Sequence, residues 1–218
     1  MKAIVLAGVL ALTPLAHGNV VQRVWWNPGL TQHGGTDPFV GQSTDDALAM
    51  AGNLSQVGLV RTGDTIGAIS FTNVPSSFDE NFYVEFSVIP GAGMALDVHD
   101  LILQAGNNGT PMPLDRIALR TEVDGFSSSV VAQAGPSGLQ GNTGRPVLFD
   151  LEALPELTQE THFRLYAWGI NGPFGIIGSI ATSGYGMWFG DIDAHTVPAP
   201  ASAALLGVGA LVAVRRRR

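Results

Sequence analysis

Along the middle of this chain, apolar and polar positions alternate over short stretches, and helical spacing is scarce. Phe82, Val84, Phe86 and Val88 alternate with Tyr83, Glu85 and Ser87, while Ile117, Leu119, Thr121 and Val123 alternate with Arg116, Arg120 and Glu122. Successive side chains of a strand point to opposite faces, so each set predicts a strand with one buried face. Asp124-Gly125 is a turn signal after the second of these, and Ser128 to Gln133 is the expected return strand of a hairpin. Asn171-Gly172 marks a second hairpin, joining residues 163–168 to 174–180. Further strands are expected at 20–26, 66–73, 97–104, 146–151 and 187–195, with a short helix around 44–52. The glycine-rich, polar stretches 107–113 and 135–145 read as surface connections. The pattern predicts an all-β fold, a two-sheet antiparallel β-sandwich that is jelly-roll-like, with no second domain and no internal repeat.

Both ends break the alternation. Residues 1–18 combine Lys2, an apolar run from Ala3 to Leu15 and small residues at Ala16 and Gly18, the arrangement of a signal peptide, and the body is expected over 19–196. Residues 197–218 have three parts: Val197, Pro198, Ala199 and Pro200; fourteen apolar or small residues from Ala201 to Val214; and Arg215, Arg216, Arg217 and Arg218. As a helix the apolar part would span about 21 Å, short of the roughly 30 Å hydrocarbon core, which suits transient inner-membrane anchoring. The terminal arginines favour the cytoplasmic side, placing the body outside, in agreement with the signal peptide. A permanent tail anchor is the alternative reading of this short hydrophobic helix.

The tail resembles the PEP-CTERM sorting signal of exosortase substrates, in a Val-Pro-Ala-Pro variant with Ala199 in the position of the usual glutamate. The resemblance covers about the last 22 residues and implies export by Sec-type machinery. It also implies processing near Pro198 to Pro200 by an exosortase-like membrane enzyme, and delivery to the cell surface or extracellular matrix. More weakly, the body resembles the sandwich domains attached to such tails. That likeness rests on Leu119-Arg120 leading into Val123-Asp124-Gly125-Phe126, on Phe163-Arg164-Leu165-Tyr166-Ala167-Trp168, and on Trp188-Phe189-Gly190-Asp191-Ile192. It implies a jelly-roll lectin or carbohydrate-binding architecture.

Charge and composition narrow the function. Five of the eleven basic residues lie in the two end segments, leaving the body six arginines against eighteen acidic groups, a formal charge of −12. Nucleic-acid binding needs clustered Lys and Arg to neutralise phosphates, so nucleic acid is not an expected partner. The chain has no cysteine, which excludes disulfides and thiolate chemistry. His33, His99, His162 and His195 are isolated from one another, with no H-E-x-x-H pattern and no G-x-S-x-G elbow, so the chain is not expected to be an enzyme.

Two constellations carry candidate chemistry. Alternation puts Arg164, Tyr166 and Trp168 on one face of their strand, opposite Phe163, Leu165 and Ala167. Aromatic faces stack on pyranose rings and a guanidinium offers a fork of donors, so this row suits glycan binding; the same residues equally suit packing beneath a further layer. Asp191 and Asp193, two apart on the last expected strand, share a face and suit a structural calcium ion, with Asp37, Asp45 and Asp46 as further donors; the alternative is solvated turn and edge carboxylates. No cofactor is expected beyond that calcium. The leading expectation is a non-catalytic exported protein associated with acidic or neutral exopolysaccharide. A calcium-dependent adhesion module and a secreted polysaccharide hydrolase or lyase are the alternatives.

Overall fold

Where aromatic and β-branched residues occupy every second position the chain builds its longest strands, because one face packs while the other carries polar groups. In a computed structural model, described over residues 20–26, 41–65, 68–107, 110–135, 145–170, 172–177, 187–190 and 192–197, the protein is all-β with antiparallel sheets. The first strands in chain order are β1 (Val20–Gln22), β2 (Val24–Trp26), β3 (Gln42–Ser43), β4 (Ala49–Ala51), β5 (Ser55–Val57), β6 (Val60–Thr65) and β7 (Ala68–Thr72). There follow β8 (Tyr83–Pro90), β9 (Met94–Val98), β10 (Asp100–Asn107), β11 (Thr110–Pro111), β12 (Ile117–Thr121), β13 (Val130–Val131) and β14 (Gln133–Ala134). The last are β15 (Arg145–Asp150), β16 (Thr161–Ala167), β17 (Phe174–Ile177), β18 (Met187–Phe189) and β19 (Ile192–Thr196).

Six strands make one sheet, ordered β13-β12-β16-β8-β4, with β5 following β4 along the same edge of β8. A ten-stranded sheet runs β3-β2-β18-β10-β17-β7-β6, and β10 carries β15 on its other edge. The two are joined by an aromatic core: Trp26 of β2 meets Phe86 of β8 edge-on at 4.9 Å, and Phe163 of β16 meets Phe189 of β18 at 5.1 Å. All four rings are buried. The arrangement is sandwich-like.

The third sheet, β1-β19-β9, has a simple origin. Its order repeats β2-β18-β10, and each pair of strands is contiguous in sequence across a short break, at Arg23, after Phe189 and at His99. Three neighbouring strands therefore interrupt together and continue as a separate ladder. Gly190 lies at this joint with its N–H donated to the Asp100 carbonyl at 3.0 Å, and a Cβ there would run into the Asp100 carboxylate.

The alternation of 117–123 and the turn at Asp124-Gly125 deliver the expected hairpin, with Ala118 opposite Val131 and Leu119 opposite Val130. Gly125 takes φ 69°, which glycine adopts without steric cost. Three expectations are corrected. Residues 44–52 form a turn and strand β4 rather than a helix, because Asp45 accepts the Ala47 N–H at 2.9 Å and Ala49–Ala51 then pairs with β8. The hairpin expected between 163–168 and 174–180 is not formed by the described part of these segments: β16 pairs with β12 and β8, whereas β17, which ends at Ile177, pairs with β10 and β7 in the other sheet. The stretches 20–26, 97–104 and 187–195 are each two strands, split at the shared joint.

Among the described residues the only helical pieces are two 3-10 turns, at Leu114–Arg116 and Glu122–Asp124, and no helix is long and apolar enough to cross a membrane. The expected signal peptide, residues 1–18, and the tail from Pro198 lie outside the described residues. Val197 is the end of the described body, its N–H donated to the Gly93 carbonyl at 2.9 Å.

Candidate functional site

On β16 the odd positions Thr161, Phe163 and Leu165 are buried toward the other sheet, so Arg164 and Tyr166 point to the outer face. Their cross-strand neighbours are Glu85 on β8 and Arg120 on β12, both opposite Arg164. Two arginines side by side would repel each other, and each is held by its own acid. Arg164 Nε donates to Glu85 Oε2 at 2.8 Å. Arg120 Nη1 donates to Glu80 Oε1 at 2.7 Å and to the Phe126 carbonyl at 2.9 Å, while its Nε donates to Ser129 at 3.0 Å.

A second layer, from two loops and Tyr83 at the start of β8, covers this face. Phe126 and Tyr83 enclose the Arg164 guanidinium at 3.8 and 4.4 Å from their ring centres, and Arg120 lies 4.6 Å from the centre of Phe78. Phe78 in turn contacts Tyr166 at 5.2 Å and meets Trp168 edge-on at 5.4 Å. Burial lowers the pKa of Arg164, but the Glu85 hydrogen bond and neighbouring charges outweigh it and raise the value overall. Burial raises the Tyr166 phenol, with Arg164 opposing in part. Both groups keep their ordinary protonation, and Tyr166 is only 2% exposed.

The covering loop at 122–129 is clamped by Asp124, whose carboxylate accepts the Ser127 and Ser128 N–H groups at 3.2 and 2.9 Å. Burial pushes its carboxyl up, yet the hydrogen bonds from Ser128 and Ser127 prevail and hold it below the ordinary aspartate value. Phe126 pays for its place over Arg164 with a left-handed backbone, φ 61°, stabilised by its N–H bond to the Thr121 carbonyl at 2.9 Å.

Of Arg164, Tyr166 and Trp168, it is Trp168, just past the end of β16, that lines a groove. It walls an open groove of about 330 Å³ together with Phe78, Leu114, Ile117, Val130 and Val131, with Asp115, Arg120 and Ser129 as its polar positions. Trp168 is half-buried and Val131 is 76% exposed. The strand end is fixed from below: Trp168 N–H bonds the Arg116 carbonyl at 3.1 Å and Gly169 N–H bonds the Pro75 carbonyl at 2.8 Å. Gly169 takes φ 62°, and a Cβ there would meet the Arg116 guanidinium. The sequence showed Arg120 on the polar face of its strand; Phe78 lies in a loop without periodicity, and no pattern could place it over Tyr166.

Among the described residues, the carboxylates singled out for calcium lie on separate elements, Asp193 on β19 and Asp45 and Asp46 between β3 and β4. Asp191 and Asp37 lie outside the described residues. Asp193 is half-buried on the outer face of β19, 3.6 Å from His99 Nε2. Asp45 and Asp46 are used by their own turn, Asp45 accepting from Ala47 and Asp46 from the Ser43 hydroxyl.

Comparison with protein-family profiles, with curated proteins and with solved structures finds no match to this chain.

Proposed function

We propose that this is an exported, exosortase-processed cell-surface or extracellular-matrix protein, non-catalytic, whose jelly-roll-like sandwich associates with exopolysaccharide through the groove at Trp168. The observation that carries the glycan part is the groove itself: an aromatic wall, an apolar floor and a few polar positions in an open cleft. Such a surface stacks on the apolar face of a sugar ring while its polar groups take the hydroxyls. The tail at 197–218 supports the export and sorting part by its sequence alone.

The chemistry favours neutral sugars. Arg164 and Arg120 are both committed to acids of the protein, so neither guanidinium is a ready fork for a uronate. The body's formal charge of −12, six arginines against eighteen acids, repels polyanions as well.

The test is co-sedimentation of the purified chain with neutral and with uronate-rich polysaccharides, with and without a calcium chelator, while released sugar is measured. Retention on neutral polysaccharide without sugar release is the expected result. Retention that depends on calcium would support the adhesion reading instead, product release would make the chain a hydrolase or lyase, and no retention would end the glycan reading.

A further inference from the structure

The outer face of the three-stranded sheet carries a different chemistry from the groove. On β19, Asp193 and His195 are two residues apart and share that face; Asp193 stands directly opposite Asp97 of β9, and His195 lies diagonal to it. A third segment is tied to the same ladder: Leu157 and Leu96 exchange backbone hydrogen bonds at 2.9 and 3.0 Å, which delivers Glu156 beside Asp97. One donor atom from each of Asp97, Glu156 and His195 lies within 4.8 Å of the other two, and His195 Nε2 is already 3.5 Å from Glu156 Oε1. Asp97 and His195 are half-buried, Glu156 exposed.

Ligands of a tetrahedral zinc at about 2.0–2.2 Å lie about 3.4 Å apart, so the His195–Glu156 spacing is that of two ligands, and small rotations would bring Asp97 to the same point. Asp97 also faces Asp193 directly across the ladder, and like charges in that position are destabilising, so a cation held by Asp97, Glu156 and His195 would offset the negative charge gathered at Asp97. The imidazole decides which cation: nitrogen donors suit zinc and other first-row divalent metals, whereas calcium takes six to eight oxygens.

We infer that Asp97, Glu156 and His195 form a three-ligand site for a divalent transition metal such as zinc on the outer face of the three-stranded sheet. It locks the loop bearing Glu156 to β9 and β19 and leaves a fourth position open to water or to a donor from another molecule. The site shares no residue with the groove at Trp168, so it stands or falls separately from the glycan reading.

The experiment is titration of the tag-free, full-length chain in detergent with zinc against a chromophoric chelator, repeated with calcium, and with cobalt as a spectroscopic substitute. One zinc per chain is expected, with His195→Ala and Glu156→Gln each weakening it tenfold or more. Cobalt should give the visible bands of a low-symmetry site, absent in His195→Ala. Zinc affinity should fall in acid, since an imidazole must be deprotonated to ligate. Glu156 is exposed, so its variant folds and keeps the test decisive even if the other does not. No saturable zinc binding, binding unchanged in Glu156→Gln, or calcium bound in preference to zinc would overturn the site.

Discussion

Phe163 shows how much of the molecule hangs on single rings. It stacks on Phe86 at 5.6 Å with 10° between the ring planes and meets Phe189 of the facing sheet, fully buried. Phe163→Ala should cost about 3–5 kcal/mol, read as a lower urea midpoint with an unchanged slope. On the opposite face, Glu85→Ala would leave the Arg164 guanidinium without its acid while its aromatic enclosure persists, at a cost of about 1–2 kcal/mol in the same measurement. The division between these faces was legible from alternation alone, and Arg164 and Tyr166 do point outward. What alternation could not show is that outward is not exposed. Phe78 and Phe126, which cover them, come from loops, and the Phe126 loop is placed by contacts without periodicity, the Asp124 clamp and the Arg120 bond to the Phe126 carbonyl among them.

Strand ends and their loops are where the sequence was least readable. The β12–β13 hairpin was legible because its turn and both strands obey local rules. The apparent hairpin at Asn171-Gly172 failed because the partners of β16 and β17 lie far off in sequence, at β8 and at β7 and β10, and no local pattern reports them. The joint at Arg23, His99 and Gly190 was invisible for a related reason: each strand alone reads as continuous, and only the three side by side show the break. Gly169→Ala tests the anchoring of the β16 end, where positive φ and the Arg116 guanidinium both oppose a side chain; a loss of about 1–3 kcal/mol in thermal unfolding is expected. The Asp124 clamp should respond to acid. Its folded carboxyl lies below the ordinary value, so its stabilisation is complete above about pH 4 and is lost as pH falls through the lowered value. Melting temperatures of the wild type and Asp124→Asn should therefore converge in acid and differ at neutral pH.

For the molecule as a whole, the proposal is that an acidic sandwich-like body stands between an export signal and a sorting tail, both read from sequence, and on that reading the protein leaves the cell and stays near its surface. The body's function then rests on what it presents outside, and its open aromatic feature is the groove at Trp168. Nuclear magnetic resonance of the indole N–H signals during addition of a neutral oligosaccharide reads this directly, with Trp168→Phe identifying the signal of that residue. A saturable shift of the Trp168 indole, with the buried Trp26 indole unmoved on its bond to the Gly52 carbonyl at 2.8 Å, is the predicted result. Binding that leaves the Trp168 signal in place, or no shift at any concentration, would contradict it.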